Sequence, residues 1–296
     1  MSLPPATGDC PPCSGPLGAL SRSAVAALNA DCDCLPLPRP AVDNAIAQRW
    51  GSQPIGDLIQ AQADLFASTV VFLSEADWQA MQAQIKAIEA VIALPGYQHA
   101  IATRTPGYRK PRTPGIFMGY DFHLSEAGPR LIEINTNAGG AMLANAALAA
   151  AGERASVCGP AQSDASEQVQ RKIVNMLMDE WRSGSAGNDH ANLERVAIVD
   201  TAPTEQYLYP DMLLVARLLA EHDIACEIVD PSALAVAGDR LLANGKPVDL
   251  VYNRLTDFYF EAPAQRVLKR AHDAQLAVVS PAPEHHASYA DKRNLG

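Results

Sequence analysis

The sequence predicts an α/β protein, with a parallel sheet in its last third and a mainly helical region carrying one β-hairpin before it. Three observations predict it. After residue 190, apolar strand-like runs (RVAIVD, CEIVD, LVYN, LAVVS) alternate with helical periods, the pattern of parallel strands joined by helical crossovers. Between 57 and 92 the apolar residues recur at helical spacing. Two strand-like runs, 115–124 and 131–135, flank a turn at 126–129.

The elements follow in order. Residues 1–45 hold eight prolines, too many for regular structure throughout, and read as an irregular leader rich in Pro and Cys. Leu58, Ile59, Leu65 and Phe66 mark a first helical stretch. A second helix starts at Ser74, with Asp77 as an acidic first-turn residue. Its stripe of Trp78, Met81, Ile85, Ile88 and Ile92 reads as core packing, and Pro95-Gly96 ends it. Residues 103–114 (TRTPGYRKPRTP) form a basic connection, solvated or touching a substrate. The hairpin follows, then the turn at 136–140 and helices over 141–151 and 165–182. A flexible linker at 183–189 separates a region 46–190 from an α/β domain 191–296. That domain reads as strand 195–200, helix 211–222, strand 226–230, a tight hairpin around Asn244-Gly245, strand 250–253, helix 262–274 and strand 276–280. Ligands of such sheets gather at the strands' carboxyl ends, here Asp200 and Thr201, Asp230, Arg254 and Ser280.

Composition narrows the function. Of 296 residues 48% are apolar and the net charge is -10, so the chain folds, and an acidic chain without a basic run is a poor binder of nucleic acid. No apolar stretch approaches the roughly 18 residues of a membrane span, and MSLPPATGDCPPC has neither the basic nor the apolar region of a signal peptide. A cytoplasmic protein is expected. Cys10, Cys13, Cys32 and Cys34 offer four thiols whose spacing is wrong for a zinc ribbon. Cys158 and Cys226 read as buried and inert. Dinucleotide, Walker, zincin and hydrolase-elbow motifs are all missing from the sequence. His285-His286 reads as a polar loop before a helix.

LIEINTNAGG, residues 131–140, is the most informative segment. Glu133 and Asn135 lie two apart on a strand and share a face, with Ile132 and Ile134 on the other. A carboxylate beside an amide oxygen suits a hard cation such as Mg²⁺, or else this is the solvated face of an edge strand. The Gly139-Gly140 turn lets backbone N–H groups approach an anion.

LIEINTNAGGA resembles the E-I-N-T…G-G segment of the eukaryotic-type glutathione synthetases and related circularly permuted ATP-grasp ligases. VAIVD, LLAEHDIACEIVD, RLLANGKPVDLVYNRLTDFY and ASYADKRNL follow that family's order through the second half. The resemblance implies a pre-ATP-grasp-like substrate-binding domain in an enzyme that phosphorylates a carboxylate with ATP and lets an amine attack the acyl phosphate. It implies Mg²⁺ on Glu133 and Asn135, and ATP phosphate on Lys292. It implies substrate on Thr136, Asn137, Arg254 and Tyr259, with Arg254 gripping a carboxylate through its planar fork. From its residues alone Arg254 is either that grip or a surface partner of Asp257. Met118 stands where the family has a substrate-contacting arginine, and the loop after E-I-N-T is shorter, so the product need not be glutathione. The family's glycine-rich lid and later lysine and acidic ligand are not among residues 1–296, so the chain is expected to be either the amino-terminal and substrate-binding piece of such an enzyme or a substrate-binding remnant. The alternative expectation is a non-catalytic module binding a small amino-acid or peptide ligand; on either reading a homodimer is open.

Overall fold

The computed structural model describes residues 21–30, 37–51, 55–62, 64–155, 164–185 and 192–294. The expectations for Cys10, Cys13, Cys32, Cys34 and Cys158, and for most of the linker at 183–189, lie outside the described residues.

Helices α1 (Arg22–Ala30), α2 (Arg39–Trp50) and α3 (Ile55–Gln60) open the chain, so 22–30 and 39–45 are helical where an irregular leader is expected. The prolines allow this because Pro38 sits at the N-cap of α2 and Pro40 in its first turn, where a missing N–H costs nothing. Helix α4 (Glu75–Ile92) starts as expected, with Ser74 Oγ accepting the Asp77 N–H at 3.1 Å. Its apolar stripe is only partly covered, with Trp78 49% exposed and Ile92 alone of the five fully buried. The cover for α4 is a two-stranded hairpin, too narrow for a full core face. Pro95 does not merely end α4; it opens α5 (Pro95–Arg104), its fixed φ being suited to a first turn.

Strands β1 (Gly119–Ser125) and β2 (Gly128–Asn135) form the expected antiparallel hairpin. β1 starts later than 115 because Gly115 (φ 90) and Phe117 (φ 51) turn the chain. A bulge separates the pairs Asp121–Glu133 and Phe122–Leu131, leaving Ile132 without an opposite residue. Ile132 is therefore exposed while Ile134 is buried, which corrects the expectation that both face one way; the extra residue breaks the alternation.

Helices α6 (Ala141–Ala155) and α7 (Ala165–Gly184) lead to the α/β part: β3 (Arg195–Val199), α8 (Tyr209–Ala220), β4 (Ala225–Val229), β5 (Leu234–Ala237), β6 (Arg240–Ala243), β7 (Lys246–Pro247), β8 (Leu250–Asn253), α9 (Arg266–Asp273) and β9 (Val278–Ser280). β4, β3, β8 and β9 make a four-stranded, fully parallel sheet in that order. β5, β6 and β7 make a small antiparallel sheet, whose last turn carries Asn244 (φ 48) and Gly245 (φ 78), the left-handed pair that a tight hairpin needs.

Alternate residues of the parallel strands enter two cores. Val196, Ile198, Leu250 and Tyr252 pack with apolar residues of α2, α6, α7 and α8. Ala197, Val199, Val251 and Val279 pack with Leu268 and Ala271 of α9 and with Leu241 and Ala243 of β6. Of this sheet's strands the first in sequence, β3, is internal; the second, β4, flanks it on one side and β8 on the other. The direction of winding thus reverses between β3 and β8, and a crevice opens beyond their carboxyl ends.

Candidate functional site

A cleft of about 520 Å³ lies at that reversal point. β3 contributes Asp200 and Thr201, β8 runs out into Arg254 and Thr256, and the hairpin with its turn contributes Gly119, Asp121, Asn135, Asn137, Ala138 and Gly139. The segment 131–140 and the strand ends, separate in sequence, therefore share one crevice.

Arg254 is fixed at its root because its N–H continues the parallel ladder to Val199 O at 2.9 Å. Its guanidinium lies 5.7 Å from the centre of the Tyr252 ring and donates through Nη1 to Asn137 O. Gly139 makes room for it, since a Cβ there would run into the guanidinium and come within 2.8 Å of Leu208 Cδ1. Among the described residues, no carboxylate oxygen lies within 4.0 Å of Arg254. Asp257 instead accepts the Ala262 N–H at 2.8 Å, so the surface pairing Arg254–Asp257 is absent. A half-buried guanidinium in a cleft has the planar donor set that can receive a carboxylate or phosphate.

The opposite wall is acidic. Asp121 and Glu133 are directly paired across the hairpin, and Gly119 pairs with Asn135 two residues on, so all three polar side chains share a face. Asn135 Nδ2 donates to Asp121 Oδ2 at 3.3 Å. Glu133 stands on that face without lining the cleft itself. Among the described residues no three His, Cys, Asp or Glu side chains converge as a metal cage. Asp121 and the Asn135 amide oxygen are the hard donors on this wall that line the cleft, and a cation such as Mg²⁺ would take most of its other ligands from phosphate and water. Asp200, 8% exposed, accepts the Thr201 N–H at 2.8 Å. Burial pushes its carboxyl pKa up, against the pull of that N–H and of the Arg254 charge.

Other expected residues fall elsewhere. Thr136 is 1% exposed and its hydroxyl has no hydrogen-bond partner. It opens the turn that follows β2, and that turn packs it inward, so it does not line the cleft. Tyr259 is not beside Arg254; its ring meets His286 edge-on at 5.5 Å, because the turn closed by Phe260 N–H to Asp257 O carries the chain away from the strand end. Lys292 is exposed in a short turn outside the cleft. The Gly140 N–H is not open to an anion, since Asp211 Oδ2 takes it at 3.0 Å. The basic loop's Arg109, Lys110 and Arg112 line a second cleft of about 410 Å³, where β8 and β9 begin, away from Arg254.

His285 is buried rather than in a polar loop. Its Nδ1 accepts the Ala282 N–H at 2.9 Å, so Nε2 carries the proton and donates to Thr113 O at 2.8 Å. Burial pushes its pKa down, which makes it a neutral cross-tie. Burial pushes the Cys226 thiol up to about 12, in line with an inert residue. Asp121, Gln206 and Thr256, which line the cleft, and Asp211 behind it escape the sequence reading. Asp121 is recoverable from the hairpin register once Glu133 is singled out; Asp211 has no local signal. No protein-family model matches the chain, and no curated protein matches it. No helix among the described residues is long and apolar enough to cross a membrane.

Proposed function

We propose that this chain is the substrate-recognition portion of an ATP- and Mg²⁺-dependent carboxylate–amine ligase, similar to the glutathione synthetases in its pre-ATP-grasp-like α/β domain. One observation carries the reading: Arg254, unpaired by any described carboxylate, stands at the reversal point of a parallel sheet and meets there the turn that follows the E-I-N-T segment. Arg254 grips the substrate carboxylate. Asp200 and the Asp121–Glu133–Asn135 face supply the negative pole for an ammonium group or a magnesium ion. Mg²⁺, when bound, neutralises phosphate charge during acyl-phosphate formation. Asn137 holds Arg254 by its carbonyl and points its amide to Leu255 O at 3.3 Å. With ATP as co-substrate, the reading implies a cytoplasmic protein acting on soluble amino acids or peptides.

A second reading, a binding module without nucleotide turnover, is favoured by the position of Lys292 outside the cleft. Calorimetry with Mg-ATP, with and without glutamyl dipeptides, separates the two. ATP binding that requires Mg²⁺ supports the ligase; dipeptide binding with no binding of Mg-ATP supports the module. In either case Arg254→Lys keeps the charge and loses the fork, and the dipeptide should bind about tenfold more weakly. Equal affinity in that variant removes Arg254 from the site.

A further inference from the structure

Asp211 lies in the first turn of α8 and is 3% exposed. Its carboxylate does not serve its own helix. Oδ1 accepts the N–H groups of Met142 at 2.8 Å and Leu143 at 3.1 Å, and Oδ2 that of Gly140 at 3.0 Å. Three backbone donors at the start of α6 thus converge on one side chain from another element. The chain just before them is the turn that touches Arg254: Asn137 O takes a guanidinium N–H, and Gly139 leaves the space the guanidinium occupies. Arg254 also attracts the Asp211 carboxylate electrostatically, and burial opposes its ionisation.

We propose that Asp211 is a positioning residue for carboxylate recognition: by tying Gly140, Met142 and Leu143 to α8, it sets the 137–139 turn against Arg254 so that the remaining guanidinium donors face the cleft. This rests on the reading of Arg254 as the carboxylate grip. The alternative is a helix cap that adds stability and nothing more. The geometry separates them, because a free turn removes both the Asn137 carbonyl partner and the Gly139 wall, leaving Arg254 to swing toward Asp200.

The test compares the affinity of glutamylglycine with that of the same dipeptide amidated at every carboxyl group, in four proteins of all 296 residues. The wild type should prefer the acid at least tenfold, and Arg254→Met should lose that preference. Asp211→Asn, nearly isosteric, should lose most of it, with the acid bound at least fivefold more weakly and the amide nearly unchanged. Ser74→Ala, which removes the N-cap of α4 at a residue that lines no part of the cleft, should lower Tm while keeping the preference, so a stability loss alone does not account for the change. If Asp211→Asn yields no folded protein, Asp211→Ser replaces it, with the same expectation. A preference kept in the Asp211 variant overturns the positioning role alone. No preference in the wild type overturns the Arg254 reading, and this inference with it.

Discussion

Gly139 and Gly140 sit side by side and are needed for different reasons. Gly140 has φ 88, a conformation costly for any residue with a Cβ, yet the space around it is open. Gly139 has no such backbone demand, but a Cβ there meets Arg254 and Leu208. Gly140→Ala should therefore cost about 1–2 kcal/mol of stability through backbone strain. Gly139→Ala should displace the Arg254 side chain and weaken carboxylate binding several-fold, whatever it does to stability. Urea unfolding and calorimetry on the two variants check this; equal binding by Gly139→Ala and the wild type contradicts it. The sequence makes the pair visible as a turn. It does not reveal which glycine serves the backbone and which the arginine, because Arg254 is more than a hundred residues away along the chain. Thr136 shows the same limit: motif likeness places it on a substrate, but it lies just past the end of β2, where the turn rather than strand alternation sets its direction and packs it inward.

Elements with local determinants are legible, and those set by tertiary packing are not. Ser74 and Asp77 announce α4, and the structure adds that Ser74 Oγ also donates to Asp77 Oδ2 at 2.6 Å while Arg22 Nε reaches Asp77 at 2.6 Å. Ser74→Ala should cost about 1 kcal/mol, read as a lower urea midpoint at unchanged slope. The apolar stripe of the same helix shows its period but not the width of its cover, so Trp78 is exposed. The hairpin shows its strands but hides the bulge at Ile132, since no residue there signals an unpaired position. His285 gains its surroundings only when the 107–113 loop comes alongside the sheet. Its pKa is lowered by burial, so between that lowered value and the ordinary 6.5 or so the unfolded chain binds a proton and the folded one does not. Stability should then fall as pH drops below about 6.5. His285→Gln should flatten the urea midpoint between pH 7.5 and 5.5; an unchanged pH slope means the imidazole is not responsible.

At the scale of the molecule, the parallel sheet is the most legible feature, since buried parallel strands must be written as apolar runs. The four strand assignments place Arg254 at a carboxyl end, and only the order β4-β3-β8-β9 reveals that this end lies at the reversal point. A boundary near 190 follows from composition, yet the larger core runs across it: Val42, Ile46 and Trp50 of α2 share a cluster with Leu214 and Leu218 of α8 and with the sheet. Polar ties follow the same path, Arg49 to Glu221 at 2.6 Å and Arg217 to the Trp50 carbonyl. Such sharing should make the described chain unfold as one unit, for α2 and α6 leave the sheet's inner face bare if they detach. Trp50 and Trp181 are buried in that core while Trp78 is already exposed, so a red shift of tryptophan emission reports the core alone. Its urea midpoint should coincide with that of far-ultraviolet circular dichroism. Leu218→Ala, at a site 1% exposed, should lower both midpoints together, by about 2–5 kcal/mol of stability. Two separated transitions, with only one moved by Leu218→Ala, would mean that the helices before residue 190 form a core of their own and that the Arg254 cleft closes between two independently folding bodies.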